Sequence, residues 1–254
     1  MKHRWLAAGL SLAMLASGMT GCGRKHVRLE SLEQLPIMNY TAPEVGDEIV
    51  TIHVRDYGDI TVRLFPELLP EACENFLTLA EQGYYDELIF HRVIKDFVIQ
   101  GGDPKGDGTG GESCWGGYFD GGSTPQLLHL PGALAYANSG GTATDGSQFY
   151  IVTGQEITED HLDIFTEYKG IYYTEEARTL YQQYGGRPDL DGGNYTVFGQ
   201  VIDGLDVVFA ISNVEVETRD DSNKPKKAVF IDSVTVERYD GSPLRFYAAD
   251  YGMQ

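Results

Sequence analysis

Arg92 sits in the run Phe90-His91-Arg92-Val93-Ile94-Lys95-Asp96-Phe97-Val98-Ile99-Gln100-Gly101-Gly102-Asp103, a fixed cation among apolar neighbours. A period of two places it on one face of a strand, and Phe97, Val98 and Gln100 arrive on the next segment. No acidic residue lies beside it on its own strand. A half-buried guanidinium without a partner is costly, so Arg92 either bridges strands as a structural cation or meets a ligand. One cation, one amide and two apolar side chains on adjacent strands suit the handling of a peptide bond, because guanidinium N–H groups only donate and an amide both donates and accepts.

Other chemistries have no residues to carry them. Gly106-Asp107-Gly108-Thr109-Gly110-Gly111 fits GxGxxG, but no helical pattern follows it, as a dinucleotide site requires. Asp103 and Asp107 lack the spacing of a calcium loop. His91 and His161 have no metal-ligand partners at suitable spacing, and His161 is placed on the surface of an inserted segment. No nucleophile has a base beside it. The sequence therefore predicts neither a metal nor a cofactor.

The elements that must position Arg92 read as follows. Ile49, Val50, Ile52 and Val54 form an apolar-rich, partly alternating run, Asp56-Tyr57-Gly58-Asp59 turns the chain, and Ile60, Val62 and Leu64 return it as a hairpin. Pro70 opens a helix with Ala72, Phe76, Leu79 and Ala80 on one face and Gly83 as its stop. Further strands are predicted at 90–94, 97–100, 133–137, 148–152, 197–202 and 229–237, with a short helix at 205–211. Many short strands, glycine-rich connections and two core helices predict an all-β-dominated, closed or nearly closed antiparallel architecture. The segment 155–189 breaks that rhythm and reads as a partly helical insertion, with a helix capped by Thr174 and stopped by Gly185.

The 254 residues, 42% of them hydrophobic, allow one domain with extensions. Lys2, His3 and Arg4 precede an apolar stretch from Trp5 to Met19 that ends at Thr20-Gly21-Cys22. It is shorter than the roughly 20 apolar residues a spanning helix needs, so residues 1–21 read as a signal peptide. Small residues before a cysteine resemble the bacterial lipobox, which predicts lipid attachment at Cys22 and an extracytoplasmic, membrane-anchored domain. An ordinary signal peptide or an uncleaved anchor also places the domain outside the cytoplasm. Residues 22–46, with Pro36, Pro43 and Gly46, read as attachment site and tether, 47–240 as the domain and 241–254 as a tail. Cys73 and Cys114 read as small buried thiols, with a disulfide neither required nor excluded. With 38 acidic and 19 basic side chains the net charge is −19, which excludes nucleic acid as a partner and leaves lipid on Cys22 as the means of membrane attachment.

Two further motifs, Leu130-Pro131-Gly132-Ala133-Leu134-Ala135-Tyr136-Ala137-Asn138 and Gly146-Ser147-Gln148-Phe149-Tyr150-Ile151, accompany the Arg92 run. A fourth is Leu190-Asp191-Gly192-Gly193-Asn194-Tyr195-Thr196-Val197-Phe198-Gly199. Together, from about Glu48 to Arg238, they resemble the cyclophilin family of peptidyl-prolyl cis-trans isomerases. The resemblance implies an eight-stranded antiparallel barrel closed by two helices, with a peptide groove on its outer face. It implies catalysis by Arg92, a proline pocket of Phe97, Val98, Tyr150 and Leu190 with Tyr195 at its rim, and backbone-binding positions at Gln100, Ala137, Asn138 and Gln148. The implied partners are proline-containing exported polypeptides. Asp189 stands where many members carry tryptophan or histidine, which implies weakened cyclosporin binding. A competing reading is a module that holds proline-containing segments, as a folding helper or surface adhesin, with little turnover.

Overall fold

The computed structural model describes residues 35–141, 143–217 and 222–243. The leader 1–21, Cys22, the first part of the tether and the tail from 244 onward lie outside the described residues. In chain order the elements are β1 (Glu48–Val54), β2 (Gly58–Leu64), α1 (Pro70–Glu81), β3 (Arg92–Ile94), β4 (Val98–Gly101), β5 (Ala133–Tyr136), β6 (Phe149–Val152), α2 (Glu159–Lys169), α3 (Glu175–Tyr184), β7 (Val197–Asp203), α4 (Leu205–Ser212) and β8 (Ile231–Arg238).

The strands form one eight-stranded antiparallel sheet in the order β3-β4-β6-β5-β7-β2-β1-β8. The sheet curls until its ends meet. The Phe90 amide donates to the Val229 carbonyl at 2.9 Å, and the Ile231 amide donates to the Leu88 carbonyl at 2.8 Å. Closure in this way removes the two exposed edges that an open sheet would leave. Ile52, Ile60, Val62, Ile99, Leu134, Phe149 and Phe198 are buried in the core that results. Phe76 on α1 stacks on Tyr85 at 4.9 Å and meets Phe149 and Phe198 at 5.5 Å, so the helix is fixed by aromatic packing. On α4, Leu205, Val208 and Ile211 are buried against the same core.

The insertion carries a core of its own. Gln155 and Gly186 exchange backbone hydrogen bonds at its neck, and between them Ile157, Leu162, Tyr173, Ala177 and Tyr181 pack with Leu128, Leu130 and Ile37. It holds two helices where one is predicted. The missed helix, α2, begins with Thr158 and His161 capping each other reciprocally, and Leu162 is its buried residue. A cap of that composition and so narrow an apolar face give little periodicity to find. The helix α3 follows Thr174, whose hydroxyl accepts from the Ala177 amide, and ends at Gly185, as its cap and stop residues predict.

The tether ends earlier than its composition suggests. Ile37 and Asn39 are buried. The Asn39 side chain donates to the Leu128 carbonyl at 3.0 Å and to Gln200 Oε1 at 2.9 Å, and accepts from the Leu128 amide at 2.8 Å. Tyr40 donates to the Pro131 carbonyl and packs edge-on against Tyr184 of α3. The stretch from Ile37 to Tyr40 therefore fastens the insertion to the barrel. Asn39→Ala leaves these buried partners unsatisfied and is expected to cost about 3 kcal/mol in urea unfolding, whereas the same change at a fully exposed tether position costs nothing measurable.

Candidate active site

Register brings the site together. Arg92 on β3 lies opposite Gln100 on β4, and Gln100 lies opposite Tyr150 on β6, so the three form one lateral row. The intervening residues Val93, Ile99 and Ile151 point the other way, into the core. A shift of one residue in either pairing would turn Arg92 or Gln100 inward.

Arg92 Nη1 donates to Gln100 Oε1 at 3.1 Å, and Gln100 Nε2 donates to Gln148 Oε1 at 3.0 Å. Gln148 Nε2 in turn donates to the carbonyls of Gly108 and Gly110 at 3.1 and 2.8 Å. The direction of this relay is fixed at both ends. A guanidinium can only donate and a carbonyl can only accept, so neither amide can be turned round without losing bonds. The receiving loop is itself set by buried Asp103, which accepts from the backbone amides of Lys105, Asp107 and Gly108. A Cβ at Gly110 would lie 2.2 Å from that carboxylate, which explains a glycine there without any nucleotide.

Arg92 is half-buried. Burial lowers its pKa from the ordinary arginine value and Tyr195 opposes the shift, yet a guanidinium remains charged at any working pH. Its described contacts are the Gln100 amide and the Phe97 ring, 5.7 Å from the guanidinium carbon to the centroid, with no carboxylate among them.

A pocket of about 110 Å³ opens beside it, lined by Arg92, Phe97, Val98, Gln100, Ala137, Asn138, Tyr150, Leu190 and Tyr195. Nine of the ten residues expected to meet a substrate therefore share one cavity. Gln148 is the exception and lines an adjoining, more polar depression of about 260 Å³, which shares Gln100, Ala137 and Asn138 with the first. The Asn138 side chain is committed elsewhere, donating to Asp145 Oδ1 and to the Asn194 carbonyl. What Asn138 can offer a ligand is its backbone. Asp145 also accepts from Thr196 and from the Gly121 amide. Burial raises its pKa above the usual carboxylate value, against the opposing effect of those donors.

Three residues at this site escape sequence reasoning. Arg187, at the end of the insertion, lies 4.1 Å from the Phe97 ring centroid and holds Asp189 through two hydrogen bonds of 2.8 Å. Burial works to raise the Asp189 pKa, but the bonds and charge of Arg187 outweigh it and keep the carboxyl below its ordinary range. His129 lies behind the pocket, with Nε2 bonded to the Tyr150 hydroxyl at 2.9 Å and Nδ1 to Asp191 Oδ1 at 2.7 Å. Asp191 belongs to the fourth motif, but no periodicity marks it or His129 as partners.

An antiparallel barrel, an apolar pocket, a guanidinium with no carboxylate among its described contacts and a polar trough alongside together fit a peptide-binding enzyme. Comparison with known proteins gives it a family. Residues 49–236 match the family described as cyclophilin type peptidyl-prolyl cis-trans isomerase/CLD. A Staphylococcus aureus protein provisionally named a peptidyl-prolyl cis-trans isomerase is 43% identical over 192 residues, covering 76% of this chain and 93% of its own. A Staphylococcus haemolyticus protein of the same name is 41% identical over 201 residues, covering 77% and 97%. The crystal structure of a Cryptosporidium parvum cyclophilin type isomerase superposes with a TM-score of 0.59 at 34% identity, covering 76% of this chain and 99% of that one. A second structure of that protein, determined in the presence of the dipeptide Ala-Pro, gives 0.58 at 35%. The chain belongs to the cyclophilin-type peptidyl-prolyl cis-trans isomerases.

Gln100→Glu places a carboxylate opposite Arg92 without changing side-chain size. The ion pair should engage the guanidinium and lower kcat/KM by roughly tenfold or more in a cis-to-trans peptide assay, with the thermal midpoint unchanged or raised.

Proposed function

We propose that this enzyme accelerates X-Pro isomerisation in exported polypeptides as they fold, with Arg92 as its catalytic residue and a lipid on Cys22 as its anchor. The observation that carries the proposal is a half-buried guanidinium with a neutral amide, and no carboxylate, as its described hydrogen-bond partner, set at the wall of an apolar pocket.

The barrier to rotating a peptide bond is ~18–20 kcal/mol because of amide resonance, and X-Pro bonds isomerise over roughly tens to hundreds of seconds. Twisting breaks the conjugation and leaves the prolyl nitrogen pyramidal and basic. A donor directed at that nitrogen binds the twisted state better than either planar state, which is what acceleration requires. One such charge-assisted hydrogen bond contributes about 1.5–3 kcal/mol, or roughly 10- to 150-fold in rate. The remainder comes from position. Phe97, Val98, Tyr150 and Leu190 hold the prolyl ring, while Gln100 and the backbone at Ala137 and Asn138 fix the preceding residues, so that rotation is confined to one bond.

The basic residues, apolar stretch and cysteine of the first 22 positions support export and anchoring. The insertion reaches the pocket rim through Arg187, which supports a part for it in choosing clients. The charged Arg187–Asp189 pair at that rim supports weak cyclosporin inhibition.

Arg92→Ala is expected to lower kcat/KM on a short X-Pro peptide by at least roughly tenfold while its Kd, measured by calorimetry, stays within about twofold. Parallel loss of binding, or a wild-type protein with no rate effect, contradicts the proposal. Mass spectrometry of the mature protein is expected to show a lipid-modified Cys22 at the N-terminus; an unmodified cysteine contradicts the anchor.

A further inference from the structure

We infer that His129 is a positioning residue for the isomerase reaction, acting through the Tyr150 ring that floors the pocket. The inference rests on reading that pocket as the prolyl site. His129 is 2% exposed and does not line the pocket, yet it meets two residues that do, Tyr150 and Tyr195, and holds Asp191, the neighbour of a third, Leu190. Its Nε2 meets the Tyr150 hydroxyl. Its ring lies nearly parallel to Tyr150, and Tyr195 at the rim stands edge-on to both. Its backbone amide and Nδ1 bond the same oxygen of Asp191, the residue after Leu190, at 3.0 and 2.7 Å.

The carboxylate fixes one of the two ring nitrogens. The Asp191 carboxylate can only accept, so Nδ1 carries a hydrogen, while the Tyr150 hydroxyl can bond Nε2 in either role. The other Asp191 oxygen accepts from the Tyr181 hydroxyl of α3. The backbone on the other side is equally constrained: the Arg187 amide donates to the His129 carbonyl at 2.8 Å, and a Cβ at Gly186 would sit 2.6 Å from that oxygen. One histidine thus ties β6, the Leu190 turn and the insertion to each other.

Tyr150 lines the pocket, while its hydroxyl is held by His129, which does not. A phenylalanine would present the same face with its far end untethered. Tethering fixes the tilt and depth of the floor, and therefore how firmly the prolyl ring is held. Because a floor grips the ring in planar and twisted states alike, its effect falls on KM more than on kcat.

The test is a double-mutant cycle in the peptide assay. Tyr150→Phe and His129→Phe are each expected to raise KM roughly fivefold with kcat within about twofold, and the double variant to show the same fivefold. His129→Gln can donate to Asp191 and accept from Tyr150 through one amide, and is expected to restore KM to within about twofold. A KM unchanged in Tyr150→Phe, or losses that multiply in the double variant, overturns the inference. Should His129→Phe fail to fold, Tyr150→Phe and His129→Gln decide alone. An inactive wild-type protein refutes the prolyl reading, whereas an active, Arg92-dependent enzyme indifferent to Tyr150→Phe refutes the role of His129 only.

Discussion

A desolvated cation with no counter-ion among its described contacts is the constraint on which the site depends. Burial penalises the charged guanidinium, and a carboxylate neighbour would relieve the penalty most directly. On the proposed mechanism such a neighbour would also occupy the donors meant for the twisting amide. At Arg92 the relief comes instead from a neutral carbonyl oxygen, that of Gln100, and from the face of Phe97. These stabilise the side chain in one orientation while leaving its charge uncancelled. The relay through Gln148 to the Gly108 and Gly110 carbonyls keeps Gln100 from turning its NH₂ toward Arg92.

The same logic explains why so rigid a scaffold surrounds a small pocket. On the proposed reading the pocket takes a prolyl ring, which offers few polar handles, so its placement depends on the pocket walls. Five segments supply them: β3–β4, β6, the 137–138 stretch, the Leu190 turn and Tyr195. The first two are fixed by backbone register. The Leu190 turn has no strand to hold it, and the insertion does that work through Tyr173, which donates to the Pro188 carbonyl, and Tyr181, which donates to Asp191. The segment around Asn39 then fastens the insertion to the barrel. Structure far from Arg92 in sequence is thereby joined to the pocket by hydrogen bonds between buried groups.

Legibility in the sequence followed the physics of each signal. Strands β1 and β2 announce themselves through partial alternation, β5, β6 and β7, buried along almost their whole length, through short apolar runs, and α1 and α4 because each buries an apolar stripe. The groove residues on those strands inherit that clarity: once β3 and β4 are paired, Arg92 and Gln100 must face each other. The helix α2 was invisible because Leu162 is its buried residue and its cap is an unusual Thr158–His161 pair. The packing of Ile37 and Asn39 was missed because three proline and glycine positions nearby made the whole stretch look like a tether. His129, Arg187 and Asp191 could not be read as a site at all. Their contacts join residues distant in the chain, and a buried polar contact leaves no periodic trace.

The central claim is that Arg92 favours the twisted amide over both planar forms. It is tested most directly by exchange spectroscopy on an X-Pro peptide bound to wild-type and Arg92→Lys enzyme. Lysine keeps the charge but loses the planar fork of donors. The predicted result is a fall of about tenfold or more in the on-enzyme interconversion rate, with the cis and trans forms each bound within about twofold of wild-type affinity. An unchanged interconversion rate, or a fall matched by equal loss of affinity for both isomers, would contradict it.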